Sequence, residues 1–146
     1  MKIRLRIKIS SIHGKGVFAA QDITKGTRIL PYIGEKISPQ EATTRIAQGN
    51  TFIFFLDARH DLDGDTPRNR ARYINHSCDP NCSSDIIEGQ IWIFALRDIQ
   101  AGEELSYDYG YELDGYETRP CRCGAQNCCG YILDQEYWGR LPQKTS

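Results

Sequence analysis

The ten residues 121–130, CRCGAQNCCG, carry Cys121, Cys123, Cys128 and Cys129 and set the strongest constraint on how this chain can fold. A structural zinc ion takes four thiolate or imidazole ligands in a tetrahedron. Cys128 and Cys129 are adjacent, and consecutive side chains seldom both reach one ion, so the segment offers three comfortable ligands and is one short. Cys78, in the polar stretch RYINHSCDPNC at residues 72–82, is the natural fourth. A chain that meets this condition must bring its C-terminal tail back onto a segment about forty residues upstream. Cys82 in place of Cys78 would keep the metal and change one ligand. His76, only two residues from Cys78, is a poorer choice. Buried, unliganded thiols are the plain alternative.

Metal ligation is the better reading of six cysteines only in a reducing compartment, and the rest of the chain points to one. The N-terminal MKIRLRIKIS alternates charged and aliphatic residues, a strand pattern without the continuous apolar stretch of a signal peptide. The longest apolar runs, FIFFL at 52–56 and IWIFAL at 91–96, fall far below the roughly 20 residues of a membrane helix, so no spanning segment is expected. The expectation is an intracellular protein, cytoplasmic in a prokaryote or nuclear in a eukaryote. Its 146 residues suffice for one domain with a real core. Net charge is -1 with a pI near 6.3, so no overall basic field gathers phosphates. Neither direct nucleic-acid binding nor a membrane surface is expected, and a charged partner should be basic.

Local patterns predict many short strands. Residues 2–10, GVFAA, TRILPYIG, TFIFFLD and QIWIFALRDI read as strands, and LSYDYGY as a short extended piece. One helix should start at Ser38, an N-cap followed by Pro39 and with Glu41 at the third position, and fade at Gly49. HDLDGDTPRN is turn chemistry. HGKGVFA, residues 13–19, imitates a dinucleotide fingerprint, with Glu35 about twenty residues on, but no room follows for a crossover helix. What survives is narrower: two glycines let backbone approach a ligand closely.

HGKGVFA, YIGE at 32–35, RYINHSCDPNC, GEELSYDYG at 102–110 and CxCGxxxCxG at 121–130 stand in order, and together they resemble SET-domain protein-lysine methyltransferases with a zinc-binding post-SET segment. The resemblance covers residues 3 to about 133. It implies a mainly β fold of the β-clip type: several small curled sheets, one or two short helices, a knot-like C-terminal crossing and a zinc-bound tail. By resemblance the SET domain spans 1–115 with an insert at about 37–63, the post-SET segment spans 116–134, and 135–146 is a C-terminal tail. The donor would be S-adenosylmethionine, held by His13, Gly14, Lys15, Gly16, Arg72, Asn75 and His76, with Ile132 and Leu133 over the adenine. Zinc would sit on Cys78, Cys121, Cys123 and Cys128. Tyr32, Tyr107 and Tyr109 would line the lysine channel. Tyr109 falls on the family's catalytic tyrosine. Tyr107 falls where the family has tyrosine or phenylalanine, which tilts the product towards mono- or dimethyl-lysine.

The partners that the resemblance implies are a protein with an exposed lysine, such as a histone tail, and a second copy of the chain in a homodimer. Two departures bear on cofactor affinity: Arg68 stands where relatives often carry glycine, and Phe52 near a place often held by tyrosine. Two other classes compete with the enzyme. One is a catalytically silent module that binds basic peptides around a structural zinc, which Tyr32, Asn75, His76 and Tyr109 argue against. The other is a small zinc protein docking nucleic acid, which the missing basic stripe argues against.

Overall fold

The N-terminal alternation folds as predicted. β1 (Leu5–Ile9) pairs antiparallel with β2 (Lys15–Ala19), with Ile7 opposite Val17 and Lys8 opposite Gly16. In this computed structural model residues 2–142 are described; Met1 and 143–146, the end of the expected tail, lie outside the described residues.

A three-stranded sheet carries most of the core. β3 (Arg28–Tyr32) and β8 (Cys82–Ile87) flank β9 (Gln90–Ala95) in the order β3-β9-β8. Ile91, Ile93 and Ala95 point inward at period two and pack with Val17, Ile74 and Leu105. β8 has no counterpart among the sequence-based expectations, because its Ser-Ser-Asp stretch is polar. It is recruited by a tight hairpin: Glu88 and Gly89 both take positive φ, 52° and 77°, as a two-residue turn of matching twist requires.

Residues 35–63 form a second small sheet. β4 (Glu35–Ile37), β5 (Ile53–Phe55) and β6 (Asp61–Asp63) are ordered β4-β6-β5. β6 is the central strand, although its sequence reads as a turn. Leu62 is buried, and Arg45 and Asn50 hold the carboxylate of Asp63, so contacts from distant residues override local turn chemistry. α1 (Pro39–Ala47) starts as expected, with Ser38 Oγ accepting from the Glu41 N–H at 3.1 Å. Arg45 on α1 binds Glu35, Glu41 and Asp63, fastening the helix to this sheet.

The last pairing builds the site. β7 (Asn75–His76) lies parallel to β10 (Ser106–Tyr107), with Asn75 beside Ser106 and His76 beside Tyr107. The NHS segment, too polar on its face for a core strand, is nevertheless buried. Its burial is tolerable because its polar groups find partners. Asn81 adds a clamp, donating to Glu104 O at 2.9 Å and accepting from Ser106 N at 2.9 Å. Mainly strands in small sheets, with one α-helix and three 3₁₀ turns among the described residues, is the expected architecture.

Candidate functional site

Asn75 is the hub on which the glycine loop and the NHSC segment meet. Its Nδ2 donates to His13 O at 3.1 Å, Lys15 O at 3.2 Å and Glu104 Oε2 at 2.8 Å. The side chains of His13 and Lys15 stay outside; Gly16 is buried. Gly14 takes φ +46°, a conformation that a side chain rarely adopts, and a Cβ on Gly16 would fall 2.3 Å from Glu104 Oε2. Glu104 also accepts from Ser10 Oγ at 2.8 Å, and Ser10 Oγ in turn accepts from the Ile12 N–H. The carboxylate therefore braces both ends of the loop. Sequence reasoning did not single out Glu104, although it stands inside the quoted GEEL motif.

His76 and Tyr109 are joined through backbone and side chain. The Tyr109 N–H donates to His76 Nδ1 at 3.1 Å, which puts the ring proton on Nε2, 3.8 Å from Cys78 Sγ. Burial lowers the His76 pKa, and Asp108, 3.8 Å away, offsets this only in part, so the ring is neutral at ordinary pH. The Tyr109 hydroxyl donates to Ile74 O at 2.6 Å.

A cavity of about 350 Å³ opens beside this pair, walled by Tyr32, Phe54, Tyr107, Tyr109 and Tyr111 and reached by Arg72. Ring centroids step along it: Tyr32 to Phe54 at 4.4 Å, Phe54 to Tyr107 at 5.9 Å, Tyr107 to Tyr109 at 4.9 Å and Tyr109 to Tyr111 at 5.6 Å. Burial pushes all four phenols above their usual pKa, so each stays protonated at neutral pH. Tyr32 donates to Phe52 O at 2.9 Å. Tyr111 and Phe54 were not among the predicted site residues. The signal was available for Tyr111, which continues the period-two series 107, 109, 111. For Phe54 it was not, since the pairing of β5 decides which phenylalanine turns inward.

Arg72 donates to Asp65 at 3.0 Å and to the Tyr73 hydroxyl at 2.7 Å, and its Nε is buried with no partner among the described residues. Leu133 is fully buried and its carbonyl accepts from Trp138 Nε1 at 3.2 Å, while Ile132 is half-buried.

The tail does return to Cys78. Sγ of Cys78 lies 3.9 Å from that of Cys121 and 3.8 Å from that of Cys128, and the sulfurs of Cys78, Cys121, Cys123 and Cys128 are all within 4.8 Å of one another. Four sulfurs about 2.3 Å from a central zinc stand about 3.8 Å apart, so the set fits a tetrahedral ion. Burial and crowding by the other sulfurs push the Cys78 thiol upward, and burial takes Cys121 up to about 12. At Cys123 burial acts in the same sense but is outweighed by the N–H groups of Cys78 and Ala125, giving about 7. Cys129 Sγ, 3.9 Å from Cys78 Sγ, turns to Tyr131 O at 3.2 Å. Cys82 sits in the hydrophobic core, 1 % exposed, away from the cluster.

Residues 14–110 match the family model described as SET domain. The chain is 43 % identical over 129 residues to the Drosophila melanogaster protein named histone-lysine N-methyltransferase trr, an alignment covering 82 % of this chain and 5 % of that protein. It is 40 % identical over 135 residues to the Saccharomyces cerevisiae protein named histone-lysine N-methyltransferase, H3 lysine-4 specific, covering 84 % and 12 %. With its Aspergillus oryzae namesake the identity is 38 % over 140 residues, covering 88 % and 11 %. The alignments thus span between 5 % and 12 % of the length of these curated relatives.

Proposed function

The chain belongs to the SET-domain family, and from that premise we propose that it methylates the side-chain amine of a lysine in a protein substrate, with S-adenosylmethionine as donor. The observation that carries the reading is the convergence of two distant segments: the glycine loop and Asn75 on one side, Tyr109 and the aromatic cavity on the other, linked by the 3.1 Å Tyr109–His76 bond. His13, Gly14, Lys15, Gly16, Arg72, Asn75 and His76 would hold the donor, with Ile132 and Leu133 against its adenine. The unpartnered Arg72 Nε and the close-packed Gly16 suit such a ligand. When bound, the donor supplies an electrophilic methyl group on a sulfonium.

The protein's own task is to present a neutral amine in line with that methyl. An exposed lysine with pKa about 10.4 is neutral about one time in a thousand near pH 7.4, which costs about 4 kcal/mol. A cavity walled by Tyr32, Phe54, Tyr107 and Tyr109 lowers this cost, because burial disfavours the ammonium. The protonated phenols can orient the lone pair, and Tyr109, already donating to Ile74 O, keeps its oxygen lone pairs for the reacting amine. With its pKa raised it is not a general base. The hydroxyl of Tyr107 restricts the space for added methyl groups, favouring mono- or dimethyl-lysine. Cys78, Cys121, Cys123 and Cys128 would hold a structural zinc that pins the post-SET segment, 116–134, against the SET domain, 1–115.

Histone H3 is the first substrate to try, since relatives carry H3 lysine-4 in their names; on that reading the setting in a eukaryotic cell is nuclear chromatin. Incubation with methyl-labelled donor and H3, other histones or a lysate should label lysine. Tyr109→Phe should reduce turnover at least about a hundredfold while the donor still binds. Peptide binding with no label on any substrate would instead support a silent basic-peptide module and overturn the proposal.

A further inference from the structure

Net charge says little about where the charge lies. β1 alternates, so Arg4, Arg6 and Lys8 share one exposed face while Ile3, Leu5 and Ile7 pack against the core. Lys8 Nζ settles over the Phe18 ring, 4.4 Å from its centroid. The other cations converge. A cavity of about 410 Å³ along β1 is lined by Lys2, Arg4, Arg6 and Arg70, and the rest of its lining is aliphatic, with no carboxylate and no aromatic ring. None of these four cations forms an ion pair among the described residues. Arg70 is fixed there by its own bond, Nη2 to Leu5 O at 3.2 Å. No residue of this cavity lines the aromatic one.

We propose that this face of β1 binds the phosphate backbone of duplex DNA. Four cations gathered without a counter-charge favour an anionic ligand, and three of the four are arginines, whose planar fork suits phosphate oxygens. Alternate residues of a strand stand about 6.6 Å apart, so the charges form a row that suits a linear polyanion better than a single focal anion. The cavity holds no aromatic ring, and Phe18 beside it is covered by Lys8, so no free stacking platform meets unpaired bases, which points to duplex backbone and to no sequence preference. Beside the row Ile3, Leu5 and Ile7 pack against the core, and Ile9 at the end of β1 is exposed, a single side chain that gives too little apolar surface to insert into a membrane. The sequence-based exclusion of nucleic acid rested on the average charge; the local field has the opposite sign.

Fluorescence anisotropy with a labelled random-sequence duplex tests this without reference to methyl transfer. If all four cations meet phosphates, affinity should fall about a hundredfold between about 50 and 200 mM salt, a log–log slope of about -3.6. Arg4→Gln/Arg6→Gln should weaken binding at least about tenfold at 50 mM and cut the slope by about 2. Lys25→Gln/Arg59→Gln, which removes equal charge elsewhere, should change affinity less than about twofold. An unchanged melting temperature of each variant excludes misfolding. The proposal is overturned if the wild type fails to bind at 50 mM, if both pairs of substitutions cost the same, or if polyglutamate or phosphatidylserine vesicles bind more tightly than DNA.

Discussion

Replacing Gly16 by alanine should break the brace under the glycine loop. The added methyl would fall 2.3 Å from Glu104 Oε2 and 3.1 Å from Ser10 Cβ, so the carboxylate must swing away. It would then leave Asn75 Nδ2 and Ser10 Oγ, each now 2.8 Å from it. Hydrogen bonds to a charged group contribute about 1.5–3 kcal/mol each, so losing both costs about 3–6 kcal/mol. Two effects reduce this. Glu104 is half-buried, so water can replace part of what it gave, and alanine stiffens the unfolded chain by about 0.4–1 kcal/mol. A net loss of about 2–4 kcal/mol is expected. Urea unfolding at constant m-value measures it, and titration calorimetry should show at least tenfold weaker donor binding. Glu104→Ala alone should cost a similar amount, since it strips the same bonds. The two costs share one cause, so Gly16→Ala/Glu104→Ala should be more stable than the sum of the single effects by at least about 1.5 kcal/mol. Strict additivity, or a Gly16→Ala variant within about 0.5 kcal/mol of wild type, would refute the bracing role of Glu104.

Four further outcomes are expected. Tyr107→Phe should shift the product towards higher methylation, read by mass spectrometry of the substrate lysine; an unchanged distribution would remove Tyr107 from that role. Elemental analysis should find one zinc per chain, lost in Cys121→Ser and Cys128→Ser and retained in Cys129→Ser and Cys82→Ser. Removal of the metal by a chelator should release the tail to tryptic cleavage after Arg122 and lower the melting temperature. At Asp63 burial raises the pKa, but the donors Asn50, Asp65 N–H and Arg45 outweigh it and hold the carboxyl below 3.8. The unfolded chain therefore takes up a proton there first, and the stability contributed by Asp63 is present above pH 3.8 and lost as pH falls through its lower folded value. Asp63→Asn should flatten that acid limb of the urea midpoint against pH; an identical slope would show that Asp63 does not contribute to it.

Much of the site was legible because its residues are marked by type and spacing. Counting ligands led to Cys78, with Cys82 as the alternative, because three sulfurs cannot close a tetrahedron; only the fold sets Cys78 against the tail sulfurs and Cys82 in the core. Ser38, Pro39 and Glu41 announced α1 because a cap acts within one turn, and Tyr107 and Tyr109 share a face because a strand alternates. Other features have no local signature. Asp61–Asp63 reads as a turn until Arg45 and Asn50 neutralise and bind Asp63, and Cys82–Ile87 is polar until the hairpin at Glu88–Gly89 lays it beside β9. Glu104 is one acid among 19 acidic residues until the fold sets it under Gly16 and against Asn75. The basic row on β1 was written in MKIRLRIKIS, yet its lack of neutralising carboxylates depends on what Ala20 and Arg70 bring beside it. Periodicity and ligand chemistry act over a few residues and can be read along the chain. Charge compensation and side-chain clearance depend on distances between segments far apart in sequence, and only the tertiary structure sets those.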